Sequence, residues 1–176
     1  MNLPNKITLA RVVLIPAFLA AYMLQNEWLA LILFVVAAVT DFVDGYLARR
    51  LGLVTNFGKL MDPLADKILV CSALIAFVAT QTLSAWIVII LISREFYVSG
   101  LRQLALEQKI VVAASSTAKI KTVMQIILII YFLLPYPFDF LHVLPITVAL
   151  IILTVLISLY SAAEYSYKNR GIFGKK

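Results

Sequence analysis

Six apolar segments, each close to the length of a bilayer-crossing helix, fill most of the 176 residues. They constrain the fold before any other feature does. A bilayer core is crossed by about 20 helical residues, with a range of roughly 17 to 25. The segments lie near Ile7–Leu24, Trp28–Arg50, Leu60–Thr80, Ser84–Leu106, Lys119–Leu134 and Val143–Tyr165. Short polar or proline-containing links separate them: Gln25–Glu27, Gly52–Gly58, Thr80–Ser84, 107–118 and Pro135–Asp139. Hydrophobic residues make up 63% of the chain, well above a soluble domain. The sequence therefore predicts an all-α integral membrane protein with six transmembrane helices. It forms a single domain over 1–176, with no length left for a separate soluble one.

The charges sort by side. The links after the first, third and fifth segments contain no Lys or Arg, and all fifteen Lys and Arg fall on the other side. By the positive-inside rule both termini and both basic loops are cytoplasmic. The net charge of +6 is not a nucleic-acid footprint, because the basic residues flank apolar spans and form no soluble basic face. The N-terminus reads as a retained first span, not a signal peptide: one basic residue precedes the apolar run and Arg11 interrupts it. The single cysteine, Cys71, excludes an intrachain disulfide and reads as a small buried hydrophobe. The lone His142 falls on the outer side as an interfacial residue.

The acidic residues point to chemistry. Of nine Asp and Glu, four lie close together: Asp41, Asp44, Asp62 and Asp66. Asp41 is 13 residues past Trp28, about 20 Å along a helix at 1.5 Å per residue. Ionisable residues at such depth are costly and mark functional cavities. Asp41, Asp44, Gly45 and Ala48 fall within one helical face about 100° wide. Gly58, Asp62 and Asp66 form a second stripe at i, i+4, i+8. Helices joined by a short loop are antiparallel neighbours, so the two stripes can share one cavity. Small residues on a stripe let a ligand or a backbone come close.

Four converging carboxylates repel strongly in a low dielectric. Two divalent cations, Mg²⁺ or Mn²⁺, would balance them; hard cations suit all-oxygen ligands, and two-metal sites serve phosphoryl-type displacements. The alternative is a salt-bridged helix pair using Arg49, Arg50, Lys59 and Lys67. On ideal helices Arg50 is about 180° from Asp41, and Lys59 and Lys67 are each about 100° from the stripe. Only Arg49 lies near it, and long cations can snorkel to the interface instead.

The stretch Asp41-Phe-Val-Asp44-Gly45-Tyr-Leu-Ala48-Arg49, eight residues, then Gly58-Lys-Leu-Met-Asp62-Pro-Leu-Ala-Asp66 resembles the signature of the CDP-alcohol phosphatidyltransferase family. All eight fixed positions are filled at the family's spacing, and the chain's size and six expected spans also agree. The resemblance implies that Asp41, Asp44, Asp62 and Asp66 hold two divalent ions. CDP would bind at Asp41, Gly45, Ala48, Arg49, Gly58 and Asp62, with Asp66 also the general base on the incoming hydroxyl. Asn5, Thr8 and Arg11 are similar to the family's N-terminal pattern beside the active-site face; a plain helix start with a snorkelling Arg reads the same residues. The family also implies a homodimer.

The acceptor is read from a second pattern. Arg94-Glu95…Ser99-Gly100-Leu101-Arg102…Ala114-Ser115…Lys119-x-Lys121-Thr122-x-x-Gln125 is similar to the members that use sn-glycerol 3-phosphate, the phosphatidylglycerophosphate synthases. Two departures, Ala118 and Gln108-Lys109 where Gly is common, affect loop shape and remove no charge. The resemblance implies an acceptor-phosphate clamp of Arg102, Lys119 and Lys121, with Arg94 beside them. Position alone would also fit ordinary positive-inside charge.

The expected reaction moves the phosphatidyl group of CDP-diacylglycerol to sn-glycerol 3-phosphate. It takes place at a bacterial plasma membrane, with the active site facing the cytoplasm. Serine, an inositol phosphate or phosphatidylglycerol as acceptor is the alternative within the family. A small cation transporter would spread its acids along a pore, and an aspartate-rich prenyltransferase would place its acidic motifs far apart in sequence.

Overall fold

The computed structural model describes residues 3–50, 56–108, 116–134 and 144–170, and gives the helical backbone without side chains at 3–9, 41–50, 56–63 and 66. Among the described residues the chain is all-helical. Six helices run in order: α1 Leu3–Met23, α2 Glu27–Arg50, α3 Asn56–Ala79, α4 Ala85–Glu107, α5 Ser116–Leu133 and α6 Leu144–Lys168. The boundaries follow the apolar segments, with one informative shift. α3 begins at Asn56, before the apolar run, so Gly58 belongs to the helix and not to a link. Hydropathy marks where a span enters the hydrocarbon; the helix itself continues into the polar zone.

Two compact units emerge: Met1–Thr82 with Ile129–Asp139, and Leu83–Leu128 with Phe140–Lys176. In the first unit α1 packs against α2 and α3, and α2 packs against α3. Rings tie them together: Phe18 to Phe34 at 5.6 Å between centroids, Tyr22 to Phe77 at 5.5 Å and Phe77 to Phe132 at 5.4 Å. The Tyr22 hydroxyl meets Thr80 Oγ1 at 3.0 Å. Such ring pairs add about 0.5–1.5 kcal/mol each beyond the area they bury.

The second unit is built on α4 against α6. α6 buries Thr154, Ser158, Ser161 and Tyr165, a hydroxyl stripe at i, i+4, i+7, i+11. Its exposed side carries Ile146, Val148, Ile152, Leu153, Leu156 and Leu159. This pattern is the reverse of a soluble amphipathic helix, which turns its apolar face inward. It suits lipid, where small and hydroxylated residues make the helix contacts. α5 and α6 are each long and apolar enough to cross a membrane. Shorter apolar stretches run over Ala10–Met23, Glu27–Thr40 and Lys67–Ala79. α4 is interrupted by Arg94, Glu95 and Arg102.

α1 and α3 end in the same way. The Gln25 N–H bonds to the Tyr22 carbonyl and the Asn26 N–H to Ala21; Gln81 bonds to Val78 and Thr82 to Phe77. These are Schellman ends, and each places a glutamine at φ 59°. Asn26 then starts α2, its Oδ1 accepting the Leu29 N–H at 3.2 Å. A Cβ in this left-handed region costs about 1–2 kcal/mol, and glycine returns about 0.4–1 kcal/mol of that through a freer unfolded chain. Gln81→Gly is therefore expected to stabilise the protein by about 0.5–1 kcal/mol, read as a raised melting temperature in detergent.

Candidate active site

The eight signature positions lie on two unbroken helices. Asp41, Asp44, Gly45, Ala48 and Arg49 occupy the last turns of α2, and Gly58, Asp62 and Asp66 the first turns of α3. Their side chains lie outside the described residues, as do those of Asn5 and Thr8. Helical register still places the positions. α2 buries Ala30, Phe34 and Ala37 and exposes Ile32, Val36 and Val39. At about 100° per residue, Asp41 falls within about 40° of all three buried residues, and Gly45 and Ala48 share that face. α3 buries Leu69, Ala73 and Phe77 and exposes Leu64, Ile68 and Ile75. Asp66 falls within about 60° of Leu69, Ala73 and Phe77 and within about 100° of the other buried residues, Ala65, Leu74 and Ala76, and Asp62 lies beside it.

By helical register alone, both sets of acidic positions line up with the described buried residues of α2 and α3. The chain leaves α2 at Arg50 and re-enters α3 at Asn56, and the two helices pack together. α1 packs on both and brings Arg11 to its own inner face, fully buried with Ile15 and Phe18. An arginine is not buried without compensating groups. The donor set of the two stripes is all carboxylate oxygen on small-residue faces, which fits hard divalent cations. Among the described residues no group of three or more His, Cys, Asp or Glu stands together.

The cations read as an acceptor clamp fall in the second unit, and the structure divides them. Arg94 and Lys121 come together, buried at 7% and 4% relative exposure. Both donate to one oxygen, Oε2 of Glu95: Arg94 Nη1 at 3.3 Å, and Lys121 through Nζ in close contact. Arg94 uses its other nitrogens on α6, with Nε to the Ser158 carbonyl at 3.1 Å and Nη2 to Ser161 Oγ at 2.7 Å. Arg102 is exposed eight residues further on, about 12 Å along α4, with its guanidinium 6.0 Å from the centre of the Tyr165 ring. Lys119 is exposed, about 200° around α5 from Lys121. A second tie closes the same unit: Thr117 donates to Glu164, which also pairs with Lys168.

Three parts of this cluster escape sequence reasoning. Glu95 stands in the quoted pattern, yet its joint hold on Arg94 and Lys121 needs α5 folded against α4. Ser158 and Ser161 lie 64 and 67 residues from Arg94. Their signal was available in the hydroxyl stripe of α6, which an apolar span carries only to face protein. Ser161→Ala removes a buried hydrogen bond to a charged donor. It is expected to destabilise the protein by about 1.5–3 kcal/mol, read by thermal unfolding in detergent.

Comparison with known proteins follows this geometry. The sequence pattern of the CDP-alcohol phosphatidyltransferase family matches residues 1–160. A Bacillus subtilis (strain 168) protein named CDP-diacylglycerol–glycerol-3-phosphate 3-phosphatidyltransferase is 45% identical over 96% of this chain and 95% of its own. Proteins of the same name from Sodalis glossinidius and Rickettsia felis are 38% and 42% identical. The first alignment covers 97% of this chain and 96% of the relative, the second 70% of each.

Proposed function

The chain belongs to the CDP-alcohol phosphatidyltransferase family, and on that premise we propose that it transfers the phosphatidyl group of CDP-diacylglycerol to sn-glycerol 3-phosphate. The products are phosphatidylglycerol phosphate and CMP. The observation that carries this is the complete eight-position signature on two packed helices, each stripe in register with described buried residues. Full-length likeness to relatives named for this reaction supports the acceptor.

The roles follow from the residues. Asp41, Asp44, Asp62 and Asp66 would hold two divalent cations, Mg²⁺ or Mn²⁺. Bound there, the cations supply charge stabilisation for the diphosphate and for CMP as it leaves. Arg49 adds a fixed guanidinium for a diphosphate oxygen. Gly45, Ala48 and Gly58 leave room for the nucleotide against the helices. Asp66 accepts the proton of the acceptor's 1-hydroxyl as its oxygen bonds to the phosphatidyl phosphorus and the bond to CMP breaks. Lys121, held with Arg94, is the buried cation for the acceptor phosphate; Arg102 and Lys119 add exposed charge. Asn5, Thr8 and Arg11 complete the inner end of α1.

We place the chain as one membrane domain over 1–176 with six spans and both termini cytoplasmic. It would work as a homodimer in a bacterial plasma membrane, the site facing the cytoplasm. The one-sided distribution of the fifteen Lys and Arg supports this orientation.

The reaction makes a distinctive demand on atoms: the acceptor's own phosphorus ends in a lipid. With glycerol 3-phosphate labelled in its phosphorus, the label is expected to move into the organic phase, dependent on CDP-diacylglycerol and metal. Label remaining in water while CMP appears would refute glycerol 3-phosphate as acceptor.

A further inference from the structure

We infer that Glu95 is the positioning residue of the acceptor site: its carboxylate holds the Lys121 ammonium, and Arg94 with it, where the acceptor's phosphate is received. The inference rests on the proposed use of a phosphorylated acceptor and adds a residue and a role to it.

Convergence is the first observation. Arg94 and Lys121 reach the same carboxylate oxygen from two helices, 26 residues separating Glu95 from Lys121. Two cations brought this close in a low-dielectric interior repel strongly unless an anion sits between them. Mobility is the second. Arg94 is pinned to α6 through Ser158 and Ser161, whereas Lys121 is a point charge on a flexible four-carbon stem. Lys121 is therefore the more mobile of the two cations, and its ammonium is in close contact with the Glu95 carboxylate.

Accessibility is the third. Lys121 keeps 4% side-chain exposure and Glu95 keeps 22%, so the carboxylate is the more exposed of the pair. The charges complete the case. Within the trio two cations share one carboxylate, so cations outnumber anions there. Glu95 is thus an acid inside an anion site, and its value there is placement.

Electrostatics and positioning predict opposite signs for its removal. Glu95→Gln keeps the shape and deletes the charge. If Glu95 positions Lys121, the KM for glycerol 3-phosphate rises about ten-fold or more. The KM for CDP-diacylglycerol and the kcat at saturating acceptor stay within about two-fold. Glu95→Asp falls between the two proteins. A lowered KM for glycerol 3-phosphate, from one fewer anion repelling it, overturns the inference. So does a fall in kcat with both KM values unchanged, the mark of general loosening.

Lys121→Gln is measured beside it. If that variant leaves the KM for glycerol 3-phosphate unchanged, the phosphate-site proposal itself fails. If it raises the KM while Glu95→Gln does not, only the role of Glu95 fails. In the Glu95→Gln/Lys121→Gln double variant the KM should be no higher than for Lys121→Gln alone; an additive rise overturns the inference. Should Glu95→Gln not accumulate as folded protein, Glu95→Asp carries the test. A several-fold rise in acceptor KM is then expected, and no rise overturns it.

Discussion

Asp66→Asn is expected to lower the rate of CMP release by about a thousand-fold or more, with the protein still folded. General-base assistance contributes about 10²–10⁴ in rate, and the same substitution deletes one of four charges offered to the cations. Asparagine keeps the size and one oxygen, so the helix that carries it is preserved. Stability should move with metal in a telling way. On the proposed site, four carboxylates without metal would repel, and deleting one charge would relieve the strain. In EDTA, Asp66→Asn should therefore melt higher than the parent. In millimolar Mg²⁺ or Mn²⁺ the order should reverse, because on the proposed site the parent would bind the ions more tightly and binding stabilises by mass action. A parent protein whose melting temperature ignores both EDTA and Mg²⁺ would point to the salt-bridged helix pair instead.

Lys121→Gln carries the second large effect. A charge-assisted hydrogen bond to a phosphate is worth about 1.5–3 kcal/mol, so the KM for glycerol 3-phosphate should rise about 10- to 100-fold. The KM for CDP-diacylglycerol should stay unchanged. Arg102→Ala and Lys119→Ala should each cost about three-fold or less, since exposed charges are screened and contribute at most about 1 kcal/mol. The ranking comes from burial. Lys121 is enclosed beside Arg94, while Arg102 and Lys119 stand in the open. Equal effects from all three would mean that the acceptor phosphate sits outside the Glu95 cluster.

Much of the fold was legible because a bilayer imposes a simple code. A run of apolar residues must become a helix to satisfy its own backbone, and the six helices follow the six runs. The starts of α1, α3 and α5 were missed by a few residues. Asn56, Phe57, Gly58 and Lys59 lack the hydropathy of a span, yet helix continues through them. That extension matters, because it puts Gly58 on the same helix as Asp62 and Asp66. The acidic signature was legible because it is local: eight positions within 26 residues, on two helices whose periodicity is fixed.

The acceptor side was only half legible. Four cations were visible in the sequence, but nothing in their spacing separates Lys121 from Lys119, two residues away. Folding separates them, since two residues on a helix are about 200° apart. The pairing of Arg94 with Ser158 and Ser161 joins helices whose connection runs through α5. No local pattern records it. The hydroxyl stripe of α6 does mark a buried face, but not what it meets.

The most direct measurement is CMP release by the purified protein in detergent. CDP-diacylglycerol and Mg²⁺ or Mn²⁺ are present throughout, and glycerol 3-phosphate, serine, inositol phosphate and phosphatidylglycerol are supplied one at a time. Release is expected with glycerol 3-phosphate alone, and is expected to vanish in EDTA and in Asp66→Asn. Release with another acceptor instead would keep the carboxylate chemistry and overturn the acceptor. No release with any acceptor, from protein that melts cooperatively, would contradict the transferase assignment itself.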